Sequence, residues 1–430
     1  MLKQNSYFVG TTLFLVMLLL IIMKGLYIND TLISLIKPIR YSLLTVVAFL
    51  LAIPFVTVLK SGKFRTNSFI VMYIHLFLIG YALLLAWLNG GIKLIETELY
   101  FFLVLSVFFT VSIFYSINEY NYFLLDKIKN NLPLKFSIPT NHKLLGVFFI
   151  FSLLIIYFSG AITLDPYPIF AFDIVEIINL NYLQGTTSYF ALGAIYFFFL
   201  VCASPNKFTK FCFLVIALIF LYFSMAGGAR GDFAIGLFVI ILIMFKFFSV
   251  RWIIITVFFL SGLVMLILSF ELIDFSNFIM IRRFTGLFAN ENFGYRDVLL
   301  IQSFELLSNR LDCLLIGCGF NYFQIYYDYS FGQYPHNVFA ELIITFGIFI
   351  SLPLILIVLL GCIRGYFTKL GNTFIFYVLF YFLGISLKSG NLLTITAIPS
   401  ILYFSYIGLK GSLAILDSTP QVVVKKKFDI

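Results

Sequence analysis

Residues 333–363 read QYPHNVFAELIITFGIFISLPLILIVLLGCI. After a polar opening, the run over 337–363 carries one charged side chain, Glu341. A helix needs about 20 apolar residues to cross the hydrocarbon of a bilayer, so this run predicts a membrane helix. The composition extends that reading outward. The chain is 62% hydrophobic and 11% charged, with mean hydropathy +1.07. One water-soluble core cannot bury that much apolar surface.

Twelve such runs follow one another, at about 8–27, 41–59, 68–89, 98–117, 144–162, 189–204, 211–226, 233–249, 252–271, 337–363, 373–388 and 392–409. No alternating barrel pattern is present, and open sheets cannot satisfy their backbone in lipid. The chain therefore reads as an all-α polytopic membrane protein of about 12 transmembrane helices, one domain over 1–430. The first run follows Lys3 without a small-residue cleavage site, so it reads as an uncleaved helix. The 56 Phe and 26 Tyr suit lipid-facing surface and interfacial belts.

Charge sets the orientation. With both termini in the cytoplasm, 18 of the 28 Lys and Arg fall on the cytoplasmic side and 10 outside, as positively charged inner loops require. The net charge of +9 is mostly this asymmetry and gives no reason to expect a nucleic-acid partner. Two outer loops are large, about 163–188 and about 272–336. The second should contain an amphipathic helix over about 296–313, because Leu300, Phe304, Leu307 and Leu311 recur at spacings of three and four. The five cysteines show no metal-ligand pattern. Cys313 and Cys318 are near neighbours, but a five-residue offset is poor for one helical face, and a bridge between them is not expected.

The outer side holds the candidate chemistry. Arg230 lies in MAGGARGDFAIG, where glycines permit close backbone approach and a helix begins. Arg282 and Arg283 precede Gly286, and Arg296 opens the amphipathic helix. A guanidinium stays charged and grips phosphate oxygens through two parallel hydrogen bonds. Converging arginines at this depth suit a lipid-linked pyrophosphate and the charge that develops as it leaves. His336 is one of three histidines and accepts a proton near neutral pH, so it suits a base acting on a sugar hydroxyl. Tyr334 and Asn337 flank it and can orient it or the sugar. His75, inside a run, reads as a helix-packing residue. The chain has no Asp-x-Asp pair, phosphate-loop lysine motif, His-Glu-x-x-His or Gly-x-Ser-x-Gly. A metal-bound nucleotide-sugar transferase, an ATP-driven pump and a zinc protease lose their usual signatures.

Three stretches resemble the O-antigen polymerase and O-antigen ligase superfamily. GGARGDFAIG resembles its Ser/Gly-x-Arg-Gly element. GYRDVLLIQSFELLSNRLDCLLIGCGFNYF resembles its second element, an Arg, a helix and a Gly-x-Gly turn before an aromatic. PHNVFAELIITFG resembles the third, His-Asn, nine residues and a Gly, here His336, Asn337 and Gly347. Ile350 stands where the ligase pattern has Gly, Thr or Tyr, which favours polymerase over ligase. The resemblance covers about 220–350.

It implies a metal-independent, cofactor-free glycosyltransferase of the bacterial inner membrane with a periplasmic active site. Such an enzyme moves a growing glycan from undecaprenyl-pyrophosphate to the non-reducing end of a lipid-linked repeat unit. The implied partners are the lipid-linked donor and acceptor, membrane lipid and a chain-length regulator. Carried over, His336 is the base, and Arg230 with Arg283 or Arg296 holds the donor pyrophosphate. Transfer to lipid A core by a ligase is the alternative within the family. A flippase for lipid-linked oligosaccharide is the alternative of another class, which should line a mid-bilayer path with charge.

Overall fold

The computed structural model describes residues 9–43, 66–94, 102–114, 116–117, 142–163, 169–170, 184–249, 296–330, 333–389 and 391–410. The described chain is mostly helical. Its helices are α1 (Val9–Ile22), α2 (30–43), α3 (Thr66–Leu88), α4 (Phe102–Phe114), α5 (His142–Phe158), α6 (Gln184–Ala203), α7 (Lys207–Ala226) and α8 (Arg230–Phe247). They continue as α9 (Arg296–Asn309), α10 (Leu311–Ile316), α11 (Tyr322–Tyr327), α12 (Val338–Phe346), α13 (Ile348–Phe367), α14 (Phe374–Ser389) and α15 (Ala397–Lys410). A short antiparallel pair, β1 (Ile162–Thr163) with β2 (Ile169–Phe170), sits at the start of the loop predicted over about 163–188.

Among the described residues four helices, α3, α6, α7 and α13, are long and apolar enough to cross a membrane by length and composition. Burial distinguishes them. The apolar window of α6 is 83% buried, whereas those of α7 and α13 are 22% buried. A helix apolar on every side and covered on every side is the middle of a bundle. Around α6, aromatic rings fill the core: Phe149, Tyr189, Phe197 and Phe223 meet Phe190 or Phe220 at tilted or edge-on angles. Outside it, Phe77, Trp87, Phe158, Phe208, Phe349 and Phe367 stand more than half exposed, a pattern that fits helices long and apolar enough to cross a membrane. Helices α13 and α15 approach through Gly361 and Gly408, each against a carbonyl of the other helix. Small residues permit such close backbones where lipid gives no hydrophobic drive.

Several expectations need correction. The run at 337–363 is not one helix. Gly347, at φ 75°, divides it into α12 and α13. The amphipathic helix predicted over 296–313 breaks at Arg310 into α9 and α10. Residues 30–43, placed before the second run, are already helical, with Asn29 Oδ1 accepting from Leu32 N at the start. Cys313 and Cys318 are bridged, with Cα atoms 4.9 Å apart. The helical offset did not apply, because α10 ends at Ile316 and Gly317, at φ 89°, turns the chain back. The run at 252–271 and most of that at 41–59 lie outside the described residues.

The break at Gly347 leaves the last carbonyls of α12 without helical partners, a costly condition in an apolar setting. Each finds a donor. Ser351 Oγ donates to Leu342 O at 2.7 Å, and Gly347 N to Ile343 O at 2.8 Å. Cys318 N donates to Ile344 O at 2.7 Å, and Gly319 N to Thr345 O at 3.2 Å. The Gly-Cys-Gly turn is thus stitched to the broken helix. A Cβ on Gly347 would strike the Leu315 carbonyl, and one on Gly317 would strike Thr345 O. Tyr81 Oη and Asn89 Nδ2 of the α3 region donate to Ile316 O and Cys318 O, at 2.6 and 3.2 Å.

Candidate functional site

This lock fixes the opposite end of α12, where His336 stands. Asn337 is the N-cap: its Oδ1 accepts from Phe339 N at 3.0 Å and from Ala340 N at 3.1 Å. Capping draws on one oxygen, so the residue expected to orient substrate also positions the histidine beside it. His336 itself adopts φ 53°, a left-handed conformation uncommon for residues other than glycine and costly enough to mark a constrained position. The Tyr334 ring lies 4.0 Å from the imidazole, centre to centre. Among the described residues, the buried His336 Nδ1 has no hydrogen-bond partner.

Arg296 begins α9, half-buried. Leu299, Leu306 and Leu307 of that helix join Cys313, Cys318, Phe323 and Ile344 of α12 in one apolar cluster. This docking brings the Arg296 charge to bear on His336. Burial, then Arg296, then Lys388 disfavour the imidazolium and lower the His336 pKa to about 4. The ring is thus neutral at ordinary pH and a weaker base than the near-neutral titration expected from the sequence, and it stands next to groups that attract anions.

Arg230 is the first residue of α8, half-buried, after the turn Gly227–Gly228. That turn is tied to α6: Ala229 N donates to Thr187 Oγ1 at 3.2 Å, and Ser224 Oγ to Thr187 O at 3.1 Å. Two residues on, Asp232 is fully buried. Lys388 Nζ lies 2.5 Å from its Oδ1, Ser188 Oγ donates to Oδ2 at 2.6 Å, and Gln184 Nε2 lies 3.5 Å from Oδ1. Helices α6, α8 and α14 therefore converge on one carboxylate. Glu341, one turn into α12, is buried and accepts from Leu392 N at 3.0 Å, which ties the chain just beyond Lys388 to the helix that carries His336.

Of the predicted residues, Tyr334 and Asn337 adjoin His336, the charge of Arg296 acts on it together with that of Lys388, and Arg230 stands two residues before Asp232, the carboxylate that pairs with Lys388. Arg282 and Arg283 lie outside the described residues. Arg310 is already engaged, with two bonds to Asp312 at 2.9 and 2.6 Å and one to Tyr322. Asp232 and Lys388 were missed as site residues. The signal was a lysine near the end of an apolar run, and an Asp two residues after the singled-out arginine.

The bundle has two chemically distinct ends. Lys246, near the C-terminus of α8, donates to Tyr366 O at 2.6 Å, and Arg364 to Gly408 O at 2.6 Å. These cations cap helix C-termini at the end away from Arg230. Comparison of the chain with known protein families, characterised proteins and solved structures finds no match.

Proposed function

We propose that this chain is a membrane glycosyltransferase that polymerises a surface polysaccharide from undecaprenyl-pyrophosphate-linked repeat units. The observation that carries the reading is His336, a neutral imidazole held in left-handed backbone beneath the charges of Arg296 and Lys388. In this reading His336 takes the proton of the acceptor hydroxyl as its oxygen attacks the anomeric carbon of the donor glycan. The bond from that carbon to the pyrophosphate breaks, and undecaprenyl-pyrophosphate leaves with the electron pair. Arg230, Arg296 and the loop arginines Arg282 and Arg283 supply the charge that receives it. Tyr334 is placed to stack against a sugar face or hold the imidazole plane, and Asn337 fixes the loop.

The described charged groups favour an enzyme over a flippase. Asp232 and Glu341 sit in first turns of helices and Lys388 in a last turn, whereas a translocation path needs charge at mid-membrane. The mid-helix His75 is satisfied locally, with Nδ1 2.8 Å from Thr110 Oγ1 and Nε2 3.2 Å from Ser106 Oγ. We assign about twelve crossings in a bacterial inner membrane, both termini cytoplasmic and the His336 end periplasmic. The Cys313–Cys318 bridge supports that side, since disulfides persist in oxidising compartments.

The test is transfer in a purified system of this protein and lipid-linked repeat units. A glycan ladder on undecaprenyl-pyrophosphate, insensitive to a chelator, supports the polymerase. Product only after addition of lipid A core means ligase. Failure to form either product overturns the enzymatic reading.

A further inference from the structure

The buried ion pair is more than a clamp. We propose that Lys388 is a phosphate ligand of this site, aimed by Asp232 and admitted by Gly231, an assignment that rests on the reading of a pyrophosphate-linked substrate above.

Three features point the same way. A Cβ on Gly231 would collide with Cδ, Cε and Cγ of Lys388. The lysine stem therefore crosses the first turn of α8 through the gap that glycine leaves, at the residue after Arg230. Asp232 is fully buried, whereas the Lys388 side chain keeps 19% of its surface accessible, so the cation is the partner that a ligand can reach. Glu341 holds Leu392 N at 3.0 Å, which fastens the segment after Lys388 to the helix headed by His336. Each residue of the Arg-Gly-Asp sequence at 230–232 then has its own role. Arg230 is a first cation, Gly231 leaves passage for the second, and Asp232 is the carboxylate that holds it.

The Asp232 carboxylate accepts from Ser188 and lies near Gln184 as well as Lys388. It therefore keeps a partner if the lysine turns toward a doubly charged phosphate group. A lysine is suited to this, since its ammonium is a point charge on a flexible stem with three donors, and needs no fixed bidentate geometry. Asp232 acts through the lysine and is a positioning residue. The ligand class is a lipid-linked pyrophosphate, and the contact is with phosphate oxygens rather than sugar.

Deleting Lys388 alone would leave a buried carboxylate uncompensated, which is itself destabilising. The informative variant is therefore the neutral pair, Asp232→Asn with Lys388→Met, alongside Lys388→Arg, which preserves the charge. Binding of a short-chain prenyl pyrophosphate to the detergent-purified proteins is measured by calorimetry. In parallel, mild acylation of the wild type, read by mass spectrometry, follows the reactivity of Lys388. The assignment expects at least a tenfold loss of affinity in the folded neutral pair, substantial recovery in Lys388→Arg, and protection of Lys388 by prenyl pyrophosphate. Unchanged affinity in the folded neutral pair, or no protection in the wild type, overturns it. If the wild type binds and protects but yields no glycan product, the polymerase reading fails and the phosphate assignment stands. If the neutral pair makes product with an unchanged donor KM, the assignment fails and the polymerase stands.

Discussion

Cys318 N donates to Ile344 O at 2.7 Å, and this bond joins the Gly-Cys-Gly turn to the helix headed by His336. Substituting Gly347 by Ala should break the joint. Its φ of 75° is strained for alanine, and the new Cβ would meet the Leu315 carbonyl. Its ψ of 166° places it in a region that is essentially glycine-only, where a side chain costs on the order of 1–3 kcal/mol, and the collision adds to it. The expected outcome is a lower unfolding temperature in detergent together with loss of transfer per folded molecule. A Gly347→Ala protein with native melting and native activity would show that the joint is dispensable.

His336 should be replaceable in shape but not in chemistry. Asn tolerates left-handed backbone better than most residues, so His336→Asn should melt within a few degrees of the wild type. Without the imidazole, transfer should fall by at least ~100-fold, a loss typical of removing a general base. His336→Ala should lose the same activity and additionally some stability. Retained activity in a well-folded His336→Asn protein removes the base from this residue.

The pH dependence has a definite sign. Burial and the charges of Arg296 and Lys388 hold the His336 pKa at about 4, below its ordinary 6.5. The folded state thus favours the neutral ring. The stability this implies is complete above about pH 6.5 and is lost as pH falls from there toward 4. The acidic limb of kcat/KM for the free enzyme should fall near pH 4 rather than 6.5. A bound pyrophosphate offsets the positive charges, so the acidic limb of kcat should lie higher. Arg296→Gln should move the kcat/KM limb upward toward the ordinary value. Identical limbs in wild type and Arg296→Gln would show that the arginine does not act on the histidine.

The sequence made some of this visible. The three stretches around Arg230, Gly317–Gly319 and His336 stood out because glycine, arginine and histidine are conspicuous among apolar runs. Their joining was not visible. Ile344 reads as one more apolar residue, and only the tertiary fold makes its carbonyl an acceptor for Cys318. Lys388 and Asp232 are separated by 156 residues, beyond any local pattern. The break at Gly347 was hidden because hydropathy continues through it, while the backbone signal is one glycine that a helix would tolerate. The disulfide was missed for the opposite reason: a helical offset was applied where the helix had already ended.

His75 provides a control away from the site. It is fully buried, and its two ring nitrogens meet Thr110 of α4 at 2.8 Å and Ser106 at 3.2 Å. Interhelical hydrogen bonds of this kind contribute roughly 0.6–2 kcal/mol within a membrane. His75→Leu should therefore lower the unfolding temperature modestly and leave transfer per folded molecule unchanged. A large fall in activity with native melting would give His75 a role in the reaction.

The Cys313–Cys318 bridge tests sidedness directly. If the His336 end faces the periplasm, protein isolated with thiols blocked at once should show both cysteines unmodified until a reductant is added, when each takes one alkyl group. The bridge closes a short loop, so chain entropy gives it about 2 kcal/mol. Cys313→Ser with Cys318→Ser should lower the unfolding temperature by a comparable amount and loosen the cluster that docks α9 onto α12. Because that docking carries Arg296 to His336, the donor KM should rise in the variant while its circular dichroism stays helical. Immediate alkylation of both thiols in freshly isolated protein would contradict the bridge and withdraw its support for the periplasmic placement. In that case the orientation would rest on the charge asymmetry of the loops alone.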